Sequence, residues 1–543
     1  MTWRWAFSAA LTLAFLAEAA SQNANSDYSI AGIVVDSRTG TPIRHAQLTL
    51  DIKGEEVGGV ADDSGRFRFD HLEAGKYRLY ASAAGYVREG LNQHGTFLTA
   101  VVVGNGLDSE HVTFRLHPQA LIHGRVTDQN GEGVRNANVQ LFAAPRNPTD
   151  RPSLCEQSQS NDLGEYRFPH LLAGGYFVVV QAQPWYAQTG FSLAPIQTSG
   201  SHGPPPRSDG KSDPTLDVVY PITFYPGVTD ERSANEISLS EGETAEANVP
   251  LQAVPALHLR LANLPGNKNG PPALSAYQKV FGALPFGMTF QTTEISPGEL
   301  ELAGLPPGNL TFVVNRGEPG QNERTIEANV SGGGTLDASK PLSSATVAGR
   351  VILPEGSGPV GNAGVMLLKE GDPASFARLK KDGSFTLGAL PLDTYRIAVS
   401  FPGEAKYIQK VSASGARVSG RSLVLTGTND VDLTIVMSRG FGEISGVAVR
   451  DNRGVDGVMV LLVPDSGTNL EDDSRMDQSD SDGSFQLGGI IPGKYRLLAI
   501  QDGWGLDWRD PMVLKPYLEK AQSLEISAND SRKMSVQVQP GPR

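Results

Sequence analysis

Hydrophobic and polar residues alternate with a period of two in many short stretches of the chain. Ile122 and Val126 alternate with polar neighbours, and Val139 and Leu141 repeat the alternation after a turn rich in Gly and Asn. Such alternation is typical of strands that bury one face. No stretch shows the sustained period of 3.6 residues that an amphipathic helix would require. The pattern predicts an all-β protein built from many short strands.

One stretch of sequence recurs along the chain. Four clear copies share a glycine, an aromatic residue two positions later, and a second turn followed by another strand. They are DDSGRFRFDHLEAGKYRLYA (62–81), NDLGEYRFPHLLAGGYFVVV (161–180), KKDGSFTLGALPLDTYRIAV (380–399) and DSDGSFQLGGIIPGKYRLLAI (480–500), with a weaker copy, SPGELELAGLPPGNLTFVV, at 296–314. Neighbouring copies lie about 100 residues apart, a spacing typical of whole domains in tandem rather than of a short solenoid repeat.

These repeats divide the chain into a predicted leader and five predicted units. We place the leader at 1–20 and the units at 28–119 (unit 1), 120–254 (unit 2), 255–344 (unit 3), 345–441 (unit 4) and 442–543 (unit 5). Unit 3 has lost most of the shared glycines and is the divergent copy. Unit 2 contains an insertion at 192–215 rich in Gly, Pro and Ser, which is typical of an exposed, flexible loop. We expect short linkers and an elongated arrangement of the units.

The shared columns also predict the core of each unit. The second strand should bury an aliphatic residue, and the strand after the glycine turn should bury its aromatic residue opposite. The predicted aliphatic positions are Leu48, Val139, Val365 and Val460, and the predicted aromatic positions are Phe67, Tyr166, Phe385 and Phe485.

Three motifs of unit 1 resemble the carboxypeptidase regulatory-like domain: AGIVVDSRTGTPIRHAQLTL, DDSGRFRFDHLEAGKYRL and ASAAGYV. The resemblance is strong in units 1, 2, 4 and 5 and faint in unit 3. It implies a transthyretin-like β-sandwich for each, and so a tandem array of about five transthyretin-like or immunoglobulin-like sandwiches. The family takes its name from domains that accompany a metallopeptidase, whose catalytic groups lie outside them. No part of this chain corresponds to that peptidase, so the resemblance implies no catalytic residue.

The first residues have the pattern of a bacterial signal peptide. Arg4 gives a positive start, an apolar run from Trp5 to Leu16 follows, and Ala17-Glu18-Ala19 fits the small-x-small cleavage rule. We expect cleavage near Ala19 or Ala20 and export to the periplasm, the cell surface or the medium. No later segment reaches the roughly 18 apolar residues of a membrane-spanning helix. Cys155, the single cysteine, has no partner for an internal disulfide.

The net charge of −13 argues against binding to nucleic acid or to an anionic membrane surface. No HExxH, CxxC, GxSxG or phosphate-binding loop occurs, and all nine histidines lie at or before His258. His71 and His170 occupy equivalent turn positions in separate units, which does not suggest a metal site. We therefore expect a non-enzymatic protein without cofactor or metal.

The sequence Asp480-Ser481-Asp482-Gly483 could be part of a calcium loop, because alternate carboxylates followed by glycine can wrap a hard cation. The other copies place Lys380 and Leu163 in the two acidic columns, and neither residue is a calcium ligand. The glycine and the following aromatic residue persist, as in a hairpin turn. We interpret the motif as a turn, with calcium as the alternative, supported by the nearby acidic residues Glu471, Asp472, Asp473 and Asp477.

Aromatic residues follow a core strand in three units and are the candidate ligand-binding residues. They are Trp185 and Tyr186 in unit 2 and Trp504 and Trp508 in unit 5, with Tyr86 in the matching column of unit 1. Exposed, such rings could stack on the apolar face of a sugar; alternatively, each ring folds back and caps its own sandwich. Two functions are consistent with the sequence: a scaffold that binds a surface protein through its sandwiches, or a carbohydrate-binding protein whose partner is a polysaccharide.

Overall fold

The computed structural model describes residues 28–52, 54–145, 150–187, 215–264, 273–315, 324–338, 344–357, 362–369, 372–403, 405–427, 430–467 and 470–542. The predicted leader, and the predicted insertion up to residue 214, lie outside these residues. The regular secondary structure of the described chain is almost entirely β, which confirms the predicted fold class. No helix of the described residues has the length and apolar composition needed to cross a bilayer.

Unit 1 consists of two sheets, with strand orders β4-β1-β8 and β3-β2-β5-β6, and β7 also pairs with β5. Its strands are β1 (Tyr28–Asp36), β2 (Gln47–Ile52), β3 (Glu55–Val60), β4 (Arg66–Leu72), β5 (Gly75–Ser82), β6 (Glu89–Gly90), β7 (Val101–Val103) and β8 (Val112–Leu116).

Unit 2 repeats this plan with β9 (Ala120–Thr127), β10 (Asn138–Ala143), β11 (Ser153–Gln159), β12 (Glu165–Leu171), β13 (Gly174–Gln181), β14 (Val218–Val219), β15 (Thr223–Phe224), β16 (Ile237–Leu239), β17 (Thr244–Glu246) and β18 (Val249–Pro250). A short strand at its end, β19 (Val254–Pro255), pairs with β14.

Units 3 and 4 each form two sheets as well. Unit 3 contains β20 (Leu257–Ala262), β21 (Ala273–Val280), β22 (Ala283–Gly287), β23 (Gln291–Ser296), β24 (Glu299–Leu305), β25 (Gly308–Asn315), β26 (Arg324–Val330) and β27 (Gly334–Asp337). Unit 4 contains β28 (Ser344–Ile352), β29 (Gly364–Lys369), β30 (Asp372–Arg378), β31 (Ser384–Pro391), β32 (Thr394–Ser400), β33 (Tyr407–Ser414), β34 (Arg417–Ser419), β35 (Ser422–Val424) and β36 (Val431–Ser438).

Unit 5 joins its two sheets into one, because its last strand pairs with strands of both. Its elements are β37 (Gly442–Arg450), β38 (Arg453–Gly454), β39 (Met459–Pro464), α1 (Leu470–Asp473), β40 (Arg475–Gln478), β41 (Ser484–Ile490), β42 (Gly493–Ile500), α2 (Pro511–Leu518), β43 (Gln522–Ile526) and β44 (Ser531–Gln539). Short 3₁₀ turns occur at Glu231–Ser233 in unit 2 and at Gly503–Gly505 in unit 5.

Each predicted unit range contains a hydrophobic cluster drawn from its own residues. All eight core positions predicted from the shared columns are buried, with exposed fractions of at most 5%. Whether each range folds by itself stays a prediction.

A glycine in the first strand of four units allows the last strand to approach closely. In unit 5, Gly446 of β37 lies opposite Phe485 of β41 on one side and opposite Met534 of β44, in parallel, on the other. A Cβ added to Gly446 would lie 2.0 Å from the carbonyl oxygen of Met534 and 2.7 Å from the Phe485 ring. Any side chain here would therefore push apart the last strand and the buried ring. The equivalent glycines Gly32, Gly124 and Gly349 would also meet a carbonyl oxygen at 2.0 Å.

Unit 3 solves the same problem in a different way. Leu259 of β20 occupies the glycine position, opposite Leu302 where the other units carry an aromatic residue. The last strand, β27, places Gly334 beside Leu259 in parallel register. In unit 3 the glycine is therefore in the last strand instead of the first, and the strand order is preserved. Unit 3 therefore shares the topology of the other units despite its divergent sequence.

We expect Gly446→Ala to destabilise unit 5 by about 1–3 kcal/mol or more, the usual cost of overpacking. Hydrogen exchange measured by mass spectrometry should show faster exchange in the strands of 442–543. Gly488→Ala is the control, because an added Cβ there would meet nothing within 4 Å. Equal effects of the two substitutions would contradict the close approach of β44.

Candidate functional site

The acidic stretch at 480–483 forms a tight hairpin turn between β40 and β41. Gly483 has a φ of 82°, its N–H donates to the carbonyl oxygen of Asp480 at 2.8 Å, and the Asp480 N–H donates to the carbonyl of Ser484 at 2.8 Å. Unit 1 forms the same turn at Asp62 with Gly65 at a φ of 74°. The predicted hairpin turn is therefore present, while the absence of calcium from it stays a prediction. Among the described residues, no three His, Cys, Asp or Glu side chains are grouped so that they could hold a metal ion.

In unit 5 this turn also binds to unit 1. The Asp480 carboxylate accepts a hydrogen bond from the backbone N–H of Ala100 at 3.0 Å and pairs with Lys76. The backbone N–H of Ser481 donates to the carbonyl of Ala100 at 3.0 Å, and the Ser481 hydroxyl accepts from the N–H of Val102 at 2.8 Å. The turn thus covers the backbone at β7. We call this contact the 1–5 interface.

The turns of units 1 and 5 use their carboxylates differently. In unit 1 the carboxylate of the first turn residue, Asp62, accepts from the backbone of its own turn at Ser64 and Arg66. In unit 5 Asp482 takes over the bond to its own turn by accepting from Ser484 at 2.9 Å. The carboxylate of Asp480 accepts the Ser484 hydroxyl of its own turn at 3.3 Å and otherwise binds unit 1. The sequence signal for this contact is the second carboxylate: the turn of unit 5 contains both Asp480 and Asp482, although one of them completes the turn.

A buried amide extends the 1–5 interface. Gln478, which is 1% exposed, donates through its Nε2 to the carbonyl of Asn92 at 2.7 Å and to the hydroxyl of Thr99 at 2.8 Å. Its Oε1 lies 3.1 Å from the Nδ1 of His94. The whole amide of a unit 5 residue is thus hydrogen-bonded to unit 1.

The predicted ligand residue Trp504 packs against unit 1 rather than standing open. The His94 ring stacks on it with a centroid distance of 4.9 Å and an interplanar angle of 7°, and Phe97 lies 5.4 Å away. The indole N–H donates to the carbonyl of Gly457 at 3.1 Å. One stacking surface of this indole is occupied by His94. The ring also packs on the cluster between α2 and the sheet of its own unit, so it lies between units 5 and 1.

The other three candidate residues divide between two environments. Trp508 is half-buried against the cluster between α2 and the sheet, with the Arg509 guanidinium 5.0 Å from its ring centroid. Trp185 is 74% exposed, and Tyr186 meets it edge-to-face at 5.8 Å. No ring contact within the described residues links the unit 2 pair to the unit 5 pair. Ligand binding at these residues stays a prediction.

The acidic residues near the turn pair with arginines of unit 4. Asp472 and Asp473 of α1 lie against Arg396 and Arg421, with Arg421 donating to Asp473 at 2.9 Å. Burial lowers the pKa of the Arg421 guanidinium. Burial also raises the pKa of the Asp477 carboxyl in β40. The local acidity that made calcium an alternative thus includes an ionic contact between units 4 and 5.

An aromatic contact joins units 2 and 3. Phe281 of unit 3 inserts between Phe142, Phe177 and Phe224 of unit 2, with ring centroids 5.2, 5.2 and 5.6 Å away. Its backbone N–H donates to the Glu231 carboxylate at 2.8 Å.

The elongated arrangement expected from the sequence is wrong. Units 1 and 5, at opposite ends of the described chain, are in contact through Asp480, Gln478 and Trp504. Arg509 of unit 5 also pairs with Asp150 of unit 2 at 3.2 Å. We call this a closed arrangement, because the first and last units are in contact and unit 5 also contacts unit 2.

A histidine lies at the contact between units 1 and 2. The Nδ1 of His117 is 2.7 Å from the buried Glu89 carboxylate, and its Nε2 is 3.8 Å from Glu241 of unit 2. The hydrogen bond to Glu89 raises the pKa of His117, burial opposes the shift, and the charges of Glu241 and Asp36 add to it. Glu241 also accepts from the Ser37 hydroxyl at 2.6 Å.

The comparison with known families agrees with this fold. The sequence model of the carboxypeptidase regulatory-like domain matches residues 29–116 and 121–201, together about a third of the chain. These two stretches of units 1 and 2 are therefore similar to carboxypeptidase regulatory-like domains, as their motifs predicted. No curated protein matches the chain by sequence.

Several solved structures resemble the chain distantly. The Bacillus anthracis TIE protein shares 10% identity over 94% of this chain and 68% of its own, with a TM-score of 0.16. A streptococcal ancillary pilin shares 8% identity over 57% of this chain and 98% of its own, with a TM-score of 0.20. A putative carbohydrate binding protein from Bacteroides uniformis shares 14% identity over 28% and 88%, with a TM-score of 0.14. Nothing about function follows from these values.

We expect Asp480→Ala, a substitution in unit 5, to expose the backbone N–H of Ala100 in unit 1 to solvent. The N–H of Ala100 would lose its carboxylate acceptor and exchange faster with solvent, measured by residue-resolved hydrogen exchange. Asp62→Ala is the matched control, because that residue has the same place in the turn and bonds only within unit 1. Unchanged exchange at Ala100 in the Asp480 variant would contradict the 1–5 interface.

We also expect the contact between units 1 and 2 to weaken as pH rises. A histidine whose pKa is raised by folding stabilises the fold fully below its ordinary value of about 6.5, and this stabilisation is lost as pH rises through the raised value. The melting temperature should therefore fall more between about pH 6 and pH 8 in the native protein than in His117→Gln. His111→Gln is the control, since that exposed histidine contacts only Asp108 nearby. Identical pH dependence in native protein and the His117 variant would refute the assignment.

Proposed function

We propose that the mature chain is an exported, non-enzymatic scaffold protein of a bacterial envelope. It holds its sandwich units in a closed arrangement in the periplasm, at the cell surface or outside the cell, and presents them to a surface protein or polysaccharide. The observation that supports this most is the 1–5 interface, in which Asp480 and Gln478 of the last unit bind the first. A scaffold needs a fixed spatial relation between its parts, and this contact supplies one between the ends of the described chain.

The environment of the polar groups supports a structural role. Asp480 is bonded to a backbone amide and a lysine, and Asp472 and Asp473 are paired with arginines. His94 is stacked on Trp504 and placed beside Gln478. A general acid or base must face a space where a substrate can reach it. These groups instead face the neighbouring unit.

A second candidate function is carbohydrate binding, and one observation favours it. Trp185 is 74% exposed, more than any other Phe, Tyr or Trp of the described residues. An exposed indole is the usual platform for the apolar face of a sugar ring. The polysaccharide partner is compatible with the scaffold, because a scaffold can carry a binding site on one of its units.

The scaffold proposal is tested in intact cells with a zero-length carbodiimide cross-linker, which joins a lysine amine to a carboxylate in direct contact. We expect the exported protein to begin after Ala19 or Ala20. Its digest should contain a cross-linked peptide that joins Lys76 to Asp480 of the same chain. Lys76→Arg is the matched control, because it keeps the charge and removes the reactive amine. A protein confined to the cytoplasm with its leader intact, or one without this cross-link, would overturn the proposal.

A further inference from the structure

A cleft opens between units 2 and 3 at the exposed tryptophan. Its volume is about 730 Å³. Unit 2 contributes Arg135, Asn136, the segment 181–185 and Tyr220, and unit 3 contributes the segment 287–289 with Gly304 and Pro306. Gln181 joins the two walls by donating to the carbonyl of Gly287 at 2.9 Å. The cleft is large enough for a small oligosaccharide, since ligand sites typically range from about 300 to 1,000 Å³.

The tryptophan in this cleft is held from behind. The buried Pro184 precedes it, and the turn closes with the N–H of Ala187 donating to the carbonyl of Pro184 at 3.1 Å. Tyr186 supports the indole edge-to-face, and its hydroxyl accepts from Gln129 at 2.9 Å. Tyr186 is the only ring in contact with Trp185 within the described residues. The indole therefore has a fixed position and an open surface, unlike Trp504.

Three exposed polar side chains line the same cleft as the indole. Arg135, Asn136 and Gln183 are exposed, and their side chains form no hydrogen bond with any described residue. Together they supply a guanidinium and two amides beside an aromatic surface. This set of groups is complementary to a sugar ring, which has an apolar face for the indole and hydroxyl groups at its edge for the polar side chains.

The charge of the cleft narrows the class of sugar. Arg135 is the only charged side chain among the lining residues, and no Asp or Glu lines the cleft. The chain as a whole, by contrast, has a net charge of −13. A guanidinium without a carboxylate partner among the described residues favours a carboxylate ligand, which it can bind through two parallel hydrogen bonds. A single arginine does not suffice for a polyphosphate backbone, whose binding requires many cations.

We propose that the cleft between units 2 and 3 binds an acidic oligosaccharide that carries uronic acid residues. Trp185 stacks on one sugar ring, Arg135 binds the carboxylate, and Asn136 and Gln183 bind hydroxyl groups. The inference rests on the polysaccharide partner of the proposed function and names its chemistry and its site.

The test uses calorimetric titration of the purified mature chain with defined oligomers of galacturonate, mannuronate and glucuronate, and with neutral oligomers of equal length. At least one uronate oligomer should bind ten times more tightly than its neutral counterpart. Trp185→Ala should weaken binding of that oligomer at least tenfold, and Trp185→Phe should restore part of it. Arg135→Gln should weaken binding of the uronate oligomer alone and so remove the preference. Arg453→Gln, which removes an exposed charge from unit 5, is the matched control and should change nothing.

Four results would overturn this inference: no uronate oligomer binds, neutral and acidic oligomers bind equally, Trp185→Ala binds normally, or an acidic peptide binds as tightly as the uronate oligomer. The scaffold proposal is judged separately on the same samples by exchange at the Ala100 amide. If that amide is protected while no oligomer binds, the saccharide site alone is wrong. If oligomers bind while the amide is unprotected, the closed arrangement alone is wrong.

Discussion

The close approach of the first and last strands in each unit is the constraint on which the structure depends. The two strands run parallel in all five units, and in four of them the carbonyl oxygen of the last strand lies where a Cβ of the first would be. The missing side chain also leaves space for the aromatic ring opposite, which fills the core. Removing a side chain from a strand normally weakens it. Here the strand gains a second partner and a buried ring. The glycines are Gly32, Gly124, Gly349 and Gly446.

The pairing of the first and last strands lies within each sandwich. The turns and edges of the sandwiches can therefore differ between copies. The turn at Asp62 satisfies its own backbone, whereas the turn at Asp480 uses a second carboxylate for its own backbone and binds unit 1 with the first. The closed arrangement therefore arises from a few residues that depart from the repeat. Identical copies would share cores and have no means to distinguish their neighbours.

The same distinction explains what the sequence could predict. Period-two alternation and the repeated glycine and aromatic columns reflect burial within one unit, so the strands and cores were predictable from local pattern. Contacts such as His94 with Trp504, or Arg421 with Asp473, join residues with no common period and no fixed separation. Trp185, Trp504 and Trp508 lie in loops after core strands, as the pattern predicts. However, whether a loop ring faces a ligand or a neighbouring unit depends on an arrangement that no single repeat encodes.

The closed arrangement also bears on the cleft between units 2 and 3. Both of its walls are fixed locally, by Phe281 among the rings of unit 2 and by Gln181 bonded to Gly287. Contacts further along the chain restrain the same units, since Arg509 of unit 5 pairs with Asp150 and unit 5 is held by unit 1. A cleft between two independently moving sandwiches would lose part of its binding free energy in ordering them. The closed arrangement lowers that cost. The contacts between units that support the scaffold proposal would therefore also preorganise the cleft for its saccharide ligand.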